Sequence, residues 1–197
     1  MIKRIFDIML VVPGLVVTAP CFLCIALAIR LESSGPVFYN GVRIGKNGKP
    51  FRMHKFRSMV QNADKIGGPS TAGDDPRLTR TGKFLKKFQL DELPQLFNVL
   101  KGDMSLVGPR PEVPYYVDMM SADEKQTILS VRPGMTDWAS LWNFHEGEIL
   151  RGATDPEKEY QEKIRPEKIR LQMQYVREQN FLGDLNIIFQ TIVKIFQ

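Results

Sequence analysis

The chain has 197 residues and sets 27 lysines and arginines against 22 aspartates and glutamates, a formal net charge of +5. That length suits one domain with a sizeable core, and 43% hydrophobic with 25% charged residues excludes a disordered or collagen-like chain. Two cysteines and two histidines rule out a disulfide-rich scaffold and argue against a Cys/His zinc site, and the mildly negative mean hydropathy rules out a multi-span transporter.

The average hides an asymmetry. From Ile8 to Ile29, 22 residues pass without a charge; as a straight helix they reach roughly 33 Å, enough to cross a bilayer core. Twelve of them are Leu, Ile, Val or Phe, which favours insertion by about 4–7 kcal/mol. A buried core helix or a cleaved signal peptide shares this hydropathy, but Thr18-Ala19-Pro20-Cys21 is a poor cleavage site because Pro20 adjoins the cut. Lys3 and Arg4 precede the segment; Arg30 follows it, and then Arg43, Lys46, Lys49, Arg52, Lys55 and Arg57. Basic flanks prefer the cytoplasm, and a straight span would put one of them outside. Pro20 removes a backbone hydrogen bond mid-helix, and Pro13-Gly14 weakens the helix earlier. The expectation is a re-entrant membrane helix over residues 1–30, bent into a hairpin near Ala19-Pro20 with both ends cytoplasmic, and one cytoplasmic domain over 31–197. Cys21 and Cys24 lie inside the apolar run, so their C-x-x-C spacing reads as small membrane residues rather than a redox motif.

Beyond Arg30, Val37–Tyr39 is a short apolar run. Val42–Gly45 and Phe51–Phe56 flank Lys46-Asn47-Gly48-Lys49, where Asn-Gly suits a type I′ hairpin turn. Gly41 to Asn47 superficially resembles a phosphate-binding loop, but it is one residue short and no Ser or Thr follows the lysine. The pattern predicts a helix over Arg57–Lys65, a loop from Gly67-Gly68-Pro69 through Gly73-Asp74-Asp75-Pro76, and a short helix over Thr81–Phe88. A further helix should start near Asp91 and stop at Lys101-Gly102. Gly108-Pro109-Arg110-Pro111 and Arg132-Pro133-Gly134 must be extended loops. Glu157–Asn180 reads as mostly helical, interrupted at Pro166. Leu185, Ile188, Phe189, Ile192, Val193 and Phe196 form a last helical stripe, suited to packing on the core or to lying on a membrane surface. The fold class expected is α+β and predominantly helical, with a small β-hairpin and amphipathic surface helices.

Arg77, Arg80, Lys83, Lys86 and Lys87 fall within eleven residues that contain no acid, and Arg110 and Arg132 sit on proline-stiffened loops. Arginine forks suit phosphate oxygens, and a rigid loop lowers the entropy cost of holding them; the lysines equally suit a solvated face or anionic lipid. Into this field the chain places Leu90-Asp91-Glu92-Leu93-Pro94. Asp91 could cap a helix, and a helix start could also meet a phosphate. A carboxylate among phosphate-binding cations at a membrane suggests phosphoryl transfer, in which Asp attacks phosphorus and Mg²⁺ neutralises charge.

The motifs Lys55-Phe56-Arg57-Ser58-Met59, Leu90 to Ser105, Gly108-Pro109-Arg110-Pro111-Glu112 and Arg132-Pro133-Gly134-Met135-Thr136, in that order and spacing, resemble those of bacterial sugar transferases, the monotopic phosphoglycosyl transferases. The resemblance covers nearly the whole chain. It implies transfer of a sugar 1-phosphate from a UDP-sugar to polyprenol (undecaprenyl) phosphate with release of UMP, through a covalent aspartyl-phosphosugar intermediate, at the start of membrane-bound glycoconjugate assembly. Carried over, Asp91 is the nucleophile and a Mg²⁺ ligand, and Glu92 its catalytic partner. Arg110 clamps phosphate, with Lys86, Arg132, Lys55 and Arg57 as further phosphate-binding candidates. Asp184 matches a family acid, with an N-cap of the final helix as its structural alternative, and Pro20 matches the helix-breaking proline. The partners implied are a UDP-sugar, polyprenol phosphate and membrane lipid, on the cytoplasmic face of a bacterial inner membrane; a nucleic-acid partner would explain neither the hydrophobic segment nor the dyad. The chain departs from the family where Ala19-Pro20 replaces Ser-Pro, where Gln172 replaces an Asp found in many members, and where Asp137-Trp138 follows the Arg-Pro-Gly loop in place of a common Gly. The stretch from Asp137 through Trp142 and His145 reads as sugar contact or packing, and His145 by itself as structural rather than a general base.

Overall fold

In a computed structural model, residues 2–63, 66–68 and 70–195 are described. Among the described residues the chain is predominantly helical with the expected β-hairpin, as its patterning predicts, and adds a second two-stranded sheet that the pattern did not show. Helix α1 covers Ile2–Glu32 and is long and apolar enough to cross a membrane. It runs unbroken through Pro13 and Pro20, so there is no pair of helices joined by a turn at Ala19-Pro20. One proline costs a helix a single hydrogen bond, and Thr18 Oγ1 donates to the Gly14 carbonyl at 2.7 Å, a threonine supplying the side-chain-to-backbone bond that Ala19 cannot.

α1 lies along the rest of the protein. Val11 and Leu15 pack with Met53, Leu96, Val99 and Met104. Cys21, Phe22, Ile25 and Ile29 pack with Phe56 and Leu85. Burying a side chain such as Val99 or Met104 contributes about 1.5–3 kcal/mol, so this seam fixes the helix. Its ends are fixed by polar bonds. Asp7 accepts from Ser105 Oγ at 2.8 Å and Leu106 N at 3.1 Å, and Glu32 accepts from the backbone N–H groups of Arg80 and Thr81 at 2.7 and 2.9 Å. The opposite face, with Val16, Val17, Leu23, Leu27 and Leu31, is exposed.

Strands β1 (Phe38–Ile44) and β2 (Pro50–Phe56) pair antiparallel, from Phe38 opposite Phe56 to Ile44 opposite Pro50. Asn47 and Gly48 both have positive φ, 58° and 73°, as a type I′ turn requires. Arg57–Lys65 is not the helix its composition suggested: Met59 bridges to Leu78, Asn62 is left-handed at φ 60°, and Lys65 lies outside the described residues, as does Pro69 of the following loop. The cause is tertiary. Arg57 is drawn to Ser33 and Ser34, and Asp75 with Arg77 organises the loop, Arg77 donating to the carbonyls of Ala63, Gly68 and Ser70.

Helix α2 (Arg80–Lys87) is capped by Thr79, and α3 (Gln95–Lys101) ends at Gly102 with φ 96°. Strand β3 (Ser105–Val107) then pairs in parallel with β4 (Gly134–Thr136) across the short helices α4 (Pro114–Asp118) and α5 (Ala122–Ile128). After α6 (Trp138–Trp142) and α7 (Glu146–Ile149), α8 (Pro156–Glu159) passes through a π turn into α9 (Arg165–Glu178), with Pro166 in the first turn of α9. Helix α10 (Phe181–Ile195) buries Asp184 and Ile187, while Leu185, Phe189, Ile192 and Val193 face outward. The apolar stripe is therefore mainly the outer face; Phe196 lies outside the described residues.

Candidate active site

The two adjacent carboxylates ride on a 3₁₀ turn, Leu90–Glu92, between α2 and α3. Gln89, just before it, is left-handed at φ 55° and its side chain donates to the Phe144 carbonyl at 3.4 Å. A bulky residue in that conformation is held by its surroundings. Leu90 and Leu93 turn into the cluster around Ile29, Phe56 and Leu85, and Asp91 and Glu92 are left buried among cations. Asp91 does not cap a helix, since α3 begins only at Gln95 with Pro94 before it.

Strand β2 brings Lys55, on the face opposite Phe56. Its Nζ donates to Glu92 Oε1 at 2.7 Å. Arg110 grips the same carboxylate as a fork, Nη1 to Oε2 at 2.9 Å and Nη2 to Oε1. Lys86, in the last turn of α2, faces Asp91. Lys55, Lys86 and Arg110 thus surround the two carboxylates, with Arg43, Glu146 and Asp137 also within reach of their charge, a cation-lined setting suited to a phosphate.

The carboxylates differ in their acid–base behaviour. Burial alone would push Glu92 up, but the charges of Arg110 and Lys55 and their hydrogen bonds outweigh it and hold its carboxyl far below the usual range. Burial pushes Asp91 up, Glu92 adds to this, and Lys55 and Lys86 oppose it without reversing the sign. Burial pushes Lys86 down against the pull of Asp91. Among the described residues no hydrogen bond holds the Asp91 carboxylate, whereas Glu92 is saturated.

Arg110 owes its position to neighbouring loops. Gly108 and Gly134 touch backbone to backbone: a Cβ on Gly134 would lie 2.1 Å from the Gly108 nitrogen. Gly108 N donates to Thr136 O and Gly134 N to Pro109 O, both at 3.0 Å. The Arg110 N–H donates to Asp137 Oδ2 at 3.3 Å, and its carbonyl accepts from Gln172 Nε2 at 3.2 Å. Asp137 is fully buried, and it caps α6 through the backbone and hydroxyl of Ser140 at 2.7 Å. Asp137, Gln172 and Gln89 thus position Arg110 and the dyad; the sequence marked Asp137 and Gln172 only as departures from the family and Gln89 not at all, and the Asp137-x-x-Ser140 capping pattern was a further signal.

Of the predicted site residues, Asp91, Glu92, Arg110, Lys86 and Lys55 converge. Arg57 does not join them: it is buried and donates to Ser33 O, Ser33 Oγ and Ser34 O at 2.8–2.9 Å, clamping the exit of α1. Arg132 donates through Nε to the Gly102 carbonyl at 2.9 Å, at the end of α3. Asp184 is not the cap of α10, which Asn180 provides through Gly183 N at 2.8 Å; it pairs with Lys3 and accepts from Tyr175 at 2.8 Å. Pro20 sits within α1, just before Cys21, which packs in the same cluster as Leu90 and Leu93 on either side of the dyad. Trp138 packs edge-on against Tyr175, Trp142 is half-exposed, and the His145 ring lies against Phe144.

The family model described as bacterial sugar transferase matches residues 1–197. The chain is 38% identical over 199 residues to the UDP-glucose:undecaprenyl-phosphate glucose-1-phosphate transferase of Escherichia coli (strain K12), covering 100% of this chain and 40% of that protein. It is 45% identical over 142 residues to an Aeromonas hydrophila UDP-N-acetylgalactosamine-undecaprenyl-phosphate N-acetylgalactosaminephosphotransferase, covering 71% of this chain and 34% of that one. It is 38% identical over 195 residues to the sugar transferase EpsL of Bacillus subtilis (strain 168), covering 98% and 87%. The chain thus spans well under half the length of the first two.

Proposed function

The chain belongs to the bacterial sugar transferase family, and on that premise we propose that it is a phosphoglycosyl transferase moving a sugar 1-phosphate from a UDP-sugar to undecaprenyl phosphate. The observation that carries the reading is the contrast within the dyad: Glu92 is locked by Arg110 and Lys55, while Asp91, buried beside Lys86, has a carboxylate without a hydrogen-bonded partner among the described residues. An Asp91 oxygen attacks the sugar-bearing β-phosphorus; the bond from that phosphorus to the bridging oxygen breaks, and UMP leaves. A phosphate oxygen of undecaprenyl phosphate then attacks the same phosphorus and displaces the Asp91 carboxylate, restoring the enzyme. Lys55 and Lys86 offset the negative charge, and Arg110, its backbone fixed by Asp137 and Gln172, offers guanidinium donors at a set place.

Mg²⁺ fits this donor set in one way. Among the described residues no three carboxylates, histidines or cysteines form a cage, but this ion is commonly held by one or two carboxylates plus substrate phosphates. Asp91 would hold it, and it would neutralise phosphate charge as transfer proceeds.

The placement proposed is monotopic, on the cytoplasmic face of a bacterial inner membrane. Both ends of α1 bond to the same domain, through Asp7 near its start and Glu32 at its end. Its inner stripe is packed along its length while its outer stripe is apolar and exposed. A helix so held dips into one leaflet sidelong, with residues 1–30 as the membrane element and 31–197 as the catalytic domain. The exposed apolar residues of α10 lie in the interface. The test is UMP release from UDP-sugars in the presence of Mg²⁺ and undecaprenyl phosphate. Wild type should release it and Asp91→Asn should be slower by at least about a thousandfold; equal rates would remove Asp91 as nucleophile.

A further inference from the structure

A second basic cleft, of about 210 Å³, opens at the foot of α1. Lys3, Arg4, Lys46 and Arg132 line it together with Asp7 and Tyr175, and the dyad does not. Its acids are committed: Asp7 to Ser105 and Leu106, and Asp184, behind Lys3, to Lys3 and Tyr175. Four cations against these two carboxylates leave a surplus of two positive charges. Arg4 is occupied with the Val99 and Leu100 carbonyls. Arg132 uses only Nε, toward Gly102, and Lys46 is exposed at the β1–β2 turn with no side-chain partner among the described residues. The volume takes a phosphate group with several waters.

Beside this charge lie apolar surfaces. Ile2, Ile5 and Met9 are exposed on α1, and Leu182 on α10; Phe6 meets Phe181 edge-on, which brings the starts of the two helices together. Cations in a cleft beside a lipid-suited rim match an amphiphile with an anionic head. We propose that this cleft binds the phosphate of an anionic phospholipid, whose acyl chains run along the exposed faces of α1 and α10. The site stands apart from the transfer reaction and fixes the depth and tilt of the protein on the bilayer. Arg132 and Lys46 take the phosphate, and Lys3 and Arg4 tie the site to α1.

The test uses the full chain in neutral detergent and follows the thermal unfolding midpoint against three additives: short-chain phosphatidylglycerol, short-chain phosphatidylcholine and inorganic phosphate. Phosphatidylglycerol should raise the midpoint saturably and the other two should not. Lys46→Glu should weaken the apparent affinity about tenfold, Lys46→Arg should keep it, and Asp91→Asn should respond like wild type. Both Lys46 variants should melt like wild type without lipid, because that side chain is exposed. An equal response to phosphatidylcholine, saturation by inorganic phosphate at the same affinity, an unchanged Lys46→Glu or no saturable shift would each overturn the proposal. A response lost in Asp91→Asn would place the lipid at the dyad instead, and so would also overturn it.

Discussion

Glu92 and Asp91 are neighbours in the chain, and the cations divide them. Because Lys55 and Arg110 hold Glu92 ionised, its folded-state pKa lies below the unfolded value near 4.5. That ion pair therefore contributes its full stability above about pH 4.5 and loses it as pH falls toward the folded value. Asp91 has the opposite sign. Its raised pKa means that the ionised form strains the fold once pH passes the ordinary carboxylate range, so Asp91→Asn should raise the melting temperature at neutral pH while abolishing turnover. In the metal-free protein the Asp91 carboxyl should titrate above the ordinary aspartate value of 3.8, as read by carbon-13 NMR of the aspartate carboxyls. Lys55 is the largest charge opposing the rise, so Lys55→Met should move that titration to higher pH; an unmoved titration would assign it to another group. Arg110→Lys keeps a charge but loses the fork on Glu92, and kcat/KM should fall about 10²-fold. In the sequence these cations look alike. Arg57 and Arg132 occupy motifs as suggestive as that of Arg110, and only the fold shows that Arg57 is consumed by Ser33 and Ser34 and Arg132 turned toward Gly102. The dyad was legible through the family resemblance, because its spacing alone equally suited an N-cap by Asp91.

At the level of elements, short-range chemistry was the readable part. Asn47-Gly48 forced the hairpin, Gly102 stopped α3, and Thr79 with Arg80–Lys87 made α2 within one residue of expectation. Pairings between distant segments were not readable. The three-residue strands β3 and β4 are too short for a pattern, and their contact depends on two glycines 26 positions apart, Gly108 and Gly134. Gly134→Ala should cost about 1–3 kcal/mol or more, read as a lower denaturation midpoint, because the new methyl must push the strands apart and carry Arg110 with them. Asp137→Ala should cost about 1 kcal/mol as a lost cap and lower kcat more than KM would rise, since it also frees the Arg110 backbone. Arg57–Lys65 failed as a helix for the same reason: its local propensity lost to the pull of Arg57 on the exit of α1.

For the molecule as a whole, the long apolar helix was evident from hydropathy alone, and its relation to the domain was not. Proline and flanking charge argued for a hairpin at Ala19-Pro20; no turn divides α1 there, and the domain reaches along it, held by Asp7 near one end and Glu32 at the other. Cysteines placed at residue 2 and at residue 34 should both react with an impermeant reagent from the cytoplasmic side; labelling from opposite sides would mean a span. The proposed mechanism converges on a bond between Asp91 and phosphorus. The most direct measurement is the intact mass of active enzyme mixed with its UDP-sugar and Mg²⁺ before acceptor is added, followed by peptide mapping. Asp91 should gain one sugar phosphate, which disappears when undecaprenyl phosphate arrives. Full turnover with no adduct on Asp91, or with the adduct on a different side chain, would contradict it.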